Sequence, residues 1–137
     1  MIVVDTNIIG YFFLESDFSE QVEKAYEKDS HWAAPLLWQS ELRNVLAGYI
    51  HQKTLTFADA NQIMAEAETL LRGEEYAVNS IHVLRLVADS ACSAYDCEFV
   101  ALAQDLGVSV VTMDKKILAN FPTTAISLDQ FAKPAGD

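Results

Sequence analysis

A chain of 137 residues that is 51% apolar and 21% charged, with five Gly and three Pro, has the make-up of one folded domain; collagen-like, linker-rich and disordered classes are excluded. Twenty acidic side chains against nine basic ones leave a net charge of −11. That excess opposes non-specific binding to nucleic acid, which needs Lys and Arg to displace counterions from phosphates.

Ile2-Val3-Val4 is a short β-branched run that stops at Asp5-Thr6-Asn7, residues that favour turns and caps, so a strand, a tight turn and a helix to about Glu15 are expected. Ser16-Asp17 breaks that helix before an amphipathic one from about Ser19 to Lys28. A strand at 31–34 ends at Pro35, and 36–52 reads as a helix with Trp38, Leu42, Val45, Leu46 and Tyr49 in one stripe. A helix from about Phe57 to Leu71 ends near Gly73, and Tyr76-Ala77-Val78 offers a weak strand. Helices over 81–88 and 95–106 follow, then Gly107 and a strand from Val108 to Thr112. Asp114 to Asn120 reads as a short helix and Thr124 to Ile126 as the last strand; residues 1–132 form one domain and 133–137 a flexible tail. No apolar run approaches the ~18 residues of a membrane span. Met1 leads into Ile2-Val3-Val4 with no basic stretch ahead, so a cytoplasmic protein without membrane contact is expected. Cys92 and Cys97 lack a zinc-type spacing and read as small buried side chains.

Strands alternate with helices throughout, which argues for the α/β class, a parallel sheet covered on both faces. In open α/β sheets the ligand site lies beyond the carboxyl ends of the strands, where strand order reverses. Asp5 and Asp114 each stand just past a predicted strand. Glu41 flanks the apolar stripe of its helix, where an ionised carboxylate needs a cation or strong hydrogen bonds. Asp96 sits in an apolar helical segment, and Ser93-x-x-Asp96 also has the form of a capping box. Asp5 and Asp114 have the same alternative as simple helix caps. Each acid alone is ordinary. Four at one rim could not all ionise without a cation, and Mg²⁺ or Mn²⁺ prefers carboxylate oxygens and water.

Val3-Val4-Asp5-Thr6-Asn7, Ser40-Glu41-Leu42-Arg43-Asn44, Ala94-Tyr95-Asp96 leading into Phe99-Val100-Ala101-Leu102-Ala103, and Val111-Thr112-Met113-Asp114-Lys115-Lys116-Ile117-Leu118 together resemble the PIN-domain nucleases, and within them the small VapC-like toxins of toxin–antitoxin pairs. The resemblance implies a three-layer α/β/α sandwich with a five-stranded parallel sheet ordered 3-2-1-4-5. It implies that Asp5, Glu41, Asp96 and Asp114 hold Mg²⁺ or Mn²⁺ and carry catalysis, with Thr6, Asn7 and Thr112 orienting them. The implied activity is endoribonuclease cleavage of single-stranded or loop RNA, the implied assembly a homodimer, and the implied partner an antitoxin covering the site. Some members carry a further acid two residues beyond the last Asp; here that position is Lys116. Arg43, Lys115 and Lys116 are the nearest candidates for RNA-phosphate contacts, with a solvated helix surface as their other reading. Trp38, Tyr49 and Tyr95 are of the type that stacks on bases, although Trp38 and Tyr49 belong to the core-facing stripe and packing is the competing reading for all three.

Three other classes predict different residues. A receiver-like phosphoacceptor needs an Asp pair after the first strand, where Asp5 stands alone. A dehalogenase-type phosphatase needs Asp where Asn7 stands. A ribonuclease built on His needs two of His31, His51 and His82 to converge. A catalytically silent PIN module is the remaining alternative, opposed by the intact set of four acids.

Overall fold

The computed structural model describes residues 1–134. It contains β1 (Ile2–Val4), α1 (Thr6–Phe13), α2 (Ser19–Lys28), β2 (Trp32–Pro35), α3 (Leu37–His51), α4 (Phe57–Leu70), β3 (Glu75–Tyr76), α5 (Ser80–Ala88), α6 (Ala94–Leu106), β4 (Val110–Thr112), α7 (Lys115–Asn120), β5 (Ala125–Ser127) and α8 (Leu128–Ala132). The five strands form one parallel sheet in the order β3-β2-β1-β4-β5, as the resemblance implies. Val3 pairs with Ala33 on one side and Val110 on the other.

Every residue of β1, β2 and β4 is buried, which is why these strands read as apolar runs instead of alternating patterns. Successive strands move outward from β1 to β3, then the chain crosses back to β4. Helix α1 packs on α2 and α3, α3 on α4, α5 on α6, which lies against β1, β2 and β4, and α8 returns to pack on α2. The reversal of strand order falls between β1 and β4, and their carboxyl ends carry Asp5 and Asp114. The stripe expected on α3 is real: Trp38, Leu42 and Leu46 are buried, while Val45 and Tyr49 are half-covered. Trp38 Nε1 donates to Glu75 Oε1 at 2.7 Å, fastening α3 to β3. No described helix is long and apolar enough to cross a membrane.

The differences from the sequence-based expectations have local causes. The first helix starts at Thr6 because Asp5 caps it, and ends at Phe13 because Leu14 turns extended after giving its amide to Gly10 O. Strand β4 begins at Val110, two residues late: the amide of Val108 is committed to Ala103 O at 2.9 Å in the turn that ends α6. Strand β3 is displaced to Glu75–Tyr76, the residues in register with Ala34 and Pro35. Helix α8 has no counterpart among the expected elements; its five residues are too few to show periodicity, and Ser127 Oγ caps it by accepting Gln130 N–H at 3.1 Å. Of the expected tail, residues 135–137 lie outside the described ones. Phe12, Phe13 and Phe18 are half-buried, and Phe12 packs between Tyr26 and Trp32. They therefore belong to the margin of the core.

Gly107 caps α6 with φ +68°, a left-handed conformation in which a Cβ would meet no neighbour but would strain the backbone. Gly107→Ala is expected to lower unfolding free energy by about 1–2 kcal/mol in urea titration, without altering the cleft at the carboxyl rim of the sheet.

Candidate active site

The carboxyl rim of the sheet opens into a cleft of about 390 Å³ lined by Asp5, Thr6, Asn7, Leu37, Ser40, Glu41, Asn44, Val45, Tyr95, Asp96 and Asp114. The four acids singled out in the sequence thus come from four distant segments to one place. Asp5 follows β1, Asp114 follows β4, Glu41 projects from α3 and Asp96 from the first turn of α6. Asn7 is exposed in the cleft, while Thr112 stands behind it.

Two threonines hold this arrangement. Thr6 and Thr112 are the buried polar residues among those described, and both hydroxyls are given to carboxylates. Thr6 Oγ1 donates to Glu41 Oε1 at 2.7 Å while its amide donates to Asp5 Oδ1 at 2.8 Å. Thr112 Oγ1 donates to Asp5 Oδ2 at 2.7 Å and accepts the amide of Asp114 at 3.0 Å. The result is a chain of contacts Glu41–Thr6–Asp5–Thr112–Asp114, with Asp5 at its centre. The compensation that a half-buried Glu41 requires comes from a hydroxyl and not from a cationic side chain.

The acids also act as caps. Asp114 Oδ1 accepts the amides of Lys116 and Ile117 at 2.8 and 3.0 Å, capping α7. Ser93 Oγ accepts the amide of Asp96 at 3.1 Å, the forward half of a capping box. In α4 the box is complete, with Asp59 returning to the amide of Thr56, whereas Asp96 lines the cleft. Capping and site-building are one act here, since a cap fixes the carboxylate's position.

Burial raises the pKa of Asp5 above the usual carboxylate value; the Thr112 hydroxyl and Thr6 amide pull it back, and Asp96 and Asp114 push it further up. Glu41 is raised by burial, opposed by Thr6 and reinforced by Asp5, Asp96 and Glu98. Asp96 is raised by burial and then by Asp114, against hydrogen bonds from Ser93 and the charge of Lys116. Three of the four acids therefore resist ionisation; no described Lys or Arg lines the cleft, and Lys116 acts on Asp96 from outside it.

Hard oxygen donors crowded without a counter-charge suit a hard divalent cation. Among the described residues, no three Asp, Glu, His or Cys side chains close around a point to enclose an ion by themselves. The donor set fits Mg²⁺ or Mn²⁺ with water and substrate phosphate as further ligands, which Mg²⁺ commonly keeps.

The basic residues singled out in the sequence do not join the acids. Arg43 is exposed and donates to Gln39 Oε1 at 3.1 Å; Lys115 lines a separate shallow groove; Lys116 is exposed and reaches Asp96 through its charge alone. His31 pairs with Glu74 at 2.8 Å and His82 with Asp105 at 3.0 Å, and no described His lines the cleft. Of the three aromatics considered for stacking, Trp38 is buried and Tyr49 lies outside the cleft, which leaves Tyr95. Ser40 and Asn44 are lining residues that sequence reasoning missed. Their signal was available: 37, 40, 41, 44 and 45 lie on one helical face with Glu41.

The family model described as PIN domain matches residues 2–122. Ribonuclease VapC3 of Pyrobaculum aerophilum is 25% identical over 124 residues, covering 88% of this chain and 95% of that protein. The crystal structure of PAE2754 from the same organism superposes with a TM-score of 0.75 at 18% identity, over 96% of this chain and 92% of that one. A toxin–antitoxin complex from Klebsiella pneumoniae contains a chain with a TM-score of 0.71 at 17% identity, over 93% of this chain and 98% of that one.

A folded pKa raised above the unfolded one means that the folded state binds more protons between the two values, so stability falls as pH rises through that window. Metal-free protein should therefore carry at neutral pH a penalty that is absent below about pH 4, the unfolded carboxylate value. Asp96→Asn should raise Tm by roughly 2–4 °C in EDTA at about pH 7, and by less at about pH 4. The gain corresponds to about 0.5–1 kcal/mol, kept small because the carboxylate is partly solvated and its repulsions are screened. Differential scanning fluorimetry at both pH values checks this; an equal shift at the two would contradict charge repulsion and burial as the cause.

Proposed function

The chain belongs to the PIN-domain family, and from that membership we propose that it is a Mg²⁺- or Mn²⁺-dependent endoribonuclease acting on single-stranded or loop RNA, the toxin of a toxin–antitoxin pair. The observation that carries this reading is the convergence of Asp5, Glu41, Asp96 and Asp114 on one cleft whose described lining contains no basic side chain. The likeness to a protein named as a ribonuclease and to a chain from a toxin–antitoxin complex supports it.

Asp5, Asp96, Asp114 and Glu41 would hold the ion. A divalent cation held there would supply a Lewis acid for a phosphate oxygen and would lower the pKa of a water, chemistry that needs no 2′-hydroxyl. Asp5, gripped on both oxygens by Thr6 and Thr112, is the fixed member of the set. Glu41 is bonded through Oε1 to Thr6 and is a candidate to take the proton where it is not fully engaged by metal. Asp114 is the other candidate for that role. The expected products carry 5′-phosphate and 3′-hydroxyl ends.

The partners that go with this reading are an antitoxin whose segment covers the acidic cleft and a second copy of the chain in a homodimer. Cytoplasmic action follows from the same reading.

Purified protein incubated with RNA and Mn²⁺ should cleave it, and EDTA should abolish cleavage. Asp5→Ala and Asp96→Ala should each reduce kcat by at least about 10²-fold, the scale of losing one charge-stabilising group. Equal activity in wild type and both variants would identify a contaminating nuclease, and cyclic phosphate ends would exclude water as the nucleophile.

A further inference from the structure

Resting on the reading of the cleft as a ribonuclease site, we propose that Tyr95 is the platform on which an unpaired base beside the scissile phosphate stacks, so that substrate is gripped by its bases and not by charge. Helix α6 is buried at Cys97 and from Phe99 to Ala103, yet Tyr95 in its first turn is 62% exposed. The ring lines the same cleft as the four carboxylates and is next in sequence to Asp96.

The electrostatics of the chain favour such a contact. A protein with net charge −11 and no described Lys or Arg in the cleft lining gains little RNA affinity there from neutralising phosphates. Bound cations would offset charge at the reacting phosphate alone. Neighbouring nucleotides then need contacts that are indifferent to charge, and stacking on an aromatic face supplies them for any base. Ser40, Asn44 and Asn7, also in the cleft, are neutral donors and acceptors suited to the edges of a splayed base. A paired base has its faces covered within the helix and cannot use the platform. The substrate class that fits is therefore RNA with at least one nucleotide out of the stack.

The test compares wild type with Tyr95→Ala, Tyr95→Phe and Tyr95→Trp on a single-stranded oligoribonucleotide carrying 2-aminopurine. Tyr95→Ala is expected to raise KM by about 5- to 100-fold with kcat within about twofold, the range that stacking of one base covers. Tyr95→Phe and Tyr95→Trp should keep the wild-type KM, because the ring face carries the contact. Titrating the oligonucleotide with Ca²⁺ in place of Mn²⁺, an ion that also takes oxygen ligands, gives a second readout: wild type should quench 2-aminopurine fluorescence and Tyr95→Ala should not, and no quenching by wild type would overturn the stacking. An unchanged KM in Tyr95→Ala, or a Tyr95→Phe variant as impaired as Tyr95→Ala, would overturn the proposal. So would a change of sedimentation coefficient in Tyr95→Ala, which would assign the ring to contact with another protein chain. Wild-type protein inactive on every RNA would remove the ribonuclease reading instead, and the fluorescence titration would still decide whether Tyr95 stacks.

Discussion

Like charges that repel are held together at one end of this sheet, and much of the molecule is arranged around keeping them there. Asp5, Asp96 and Glu41 are each pushed toward the protonated form by burial and by neighbouring acids. Unsupported, such a cluster would swing its members out to solvent. Thr6 and Thr112 prevent this by donating buried hydroxyls to Glu41 and Asp5. A buried hydroxyl without a partner costs on the order of 1–3 kcal/mol, so each threonine needs its carboxylate as much as the carboxylate needs it. The fold thus tolerates a repulsion that its own hydrogen bonds only partly offset, a common trade between stability and function.

The parallel sheet makes that cluster possible. Strands β1 and β4 are neighbours although about a hundred residues separate them, and the chain leaves both at the same edge. Helix α3 brings Glu41 to that edge because Trp38, Leu42 and Leu46 fix its rotation, leaving the face of 37, 41 and 44 over the rim. Helix α6, buried along Phe99–Ala103, can present only its first turn, where Tyr95 and Asp96 stand. Core packing therefore sets the site's geometry, because each of the four acids sits within a helix or directly at the junction of a strand and a helix.

Much of this was legible in the residues. The β-branched runs at 2–4 and 108–112, the stripe on 37–51 and the acids past strand ends defined the class and the rim on their own. Boundaries slipped where a backbone amide was already committed, as with Val108, whose bond to Ala103 O delays β4. Helix α8 was hidden because five residues offer no period to detect. The cleft's neutral lining was also hard to see. Ser40 and Asn44 look like ordinary surface residues in sequence, and only tertiary placement shows that the surface in question is the site. Arg43, adjacent in sequence to Leu42 and Asn44, lies outside the cleft lining and donates to Gln39, because one step along a helix turns a side chain by about 100°.

Three of the four acids occupy the amino ends of helices: Asp5 precedes α1, Asp114 precedes α7, and Asp96 lies in the first turn of α6. Each such end carries the positive pole of its helix's aligned peptide dipoles. Those poles are met by the acids themselves, Asp5 taking the amide of Thr6 and Asp114 those of Lys116 and Ile117. The main chain thus offsets part of the negative charge that no side chain of the lining offsets, and it does so without a titrating group.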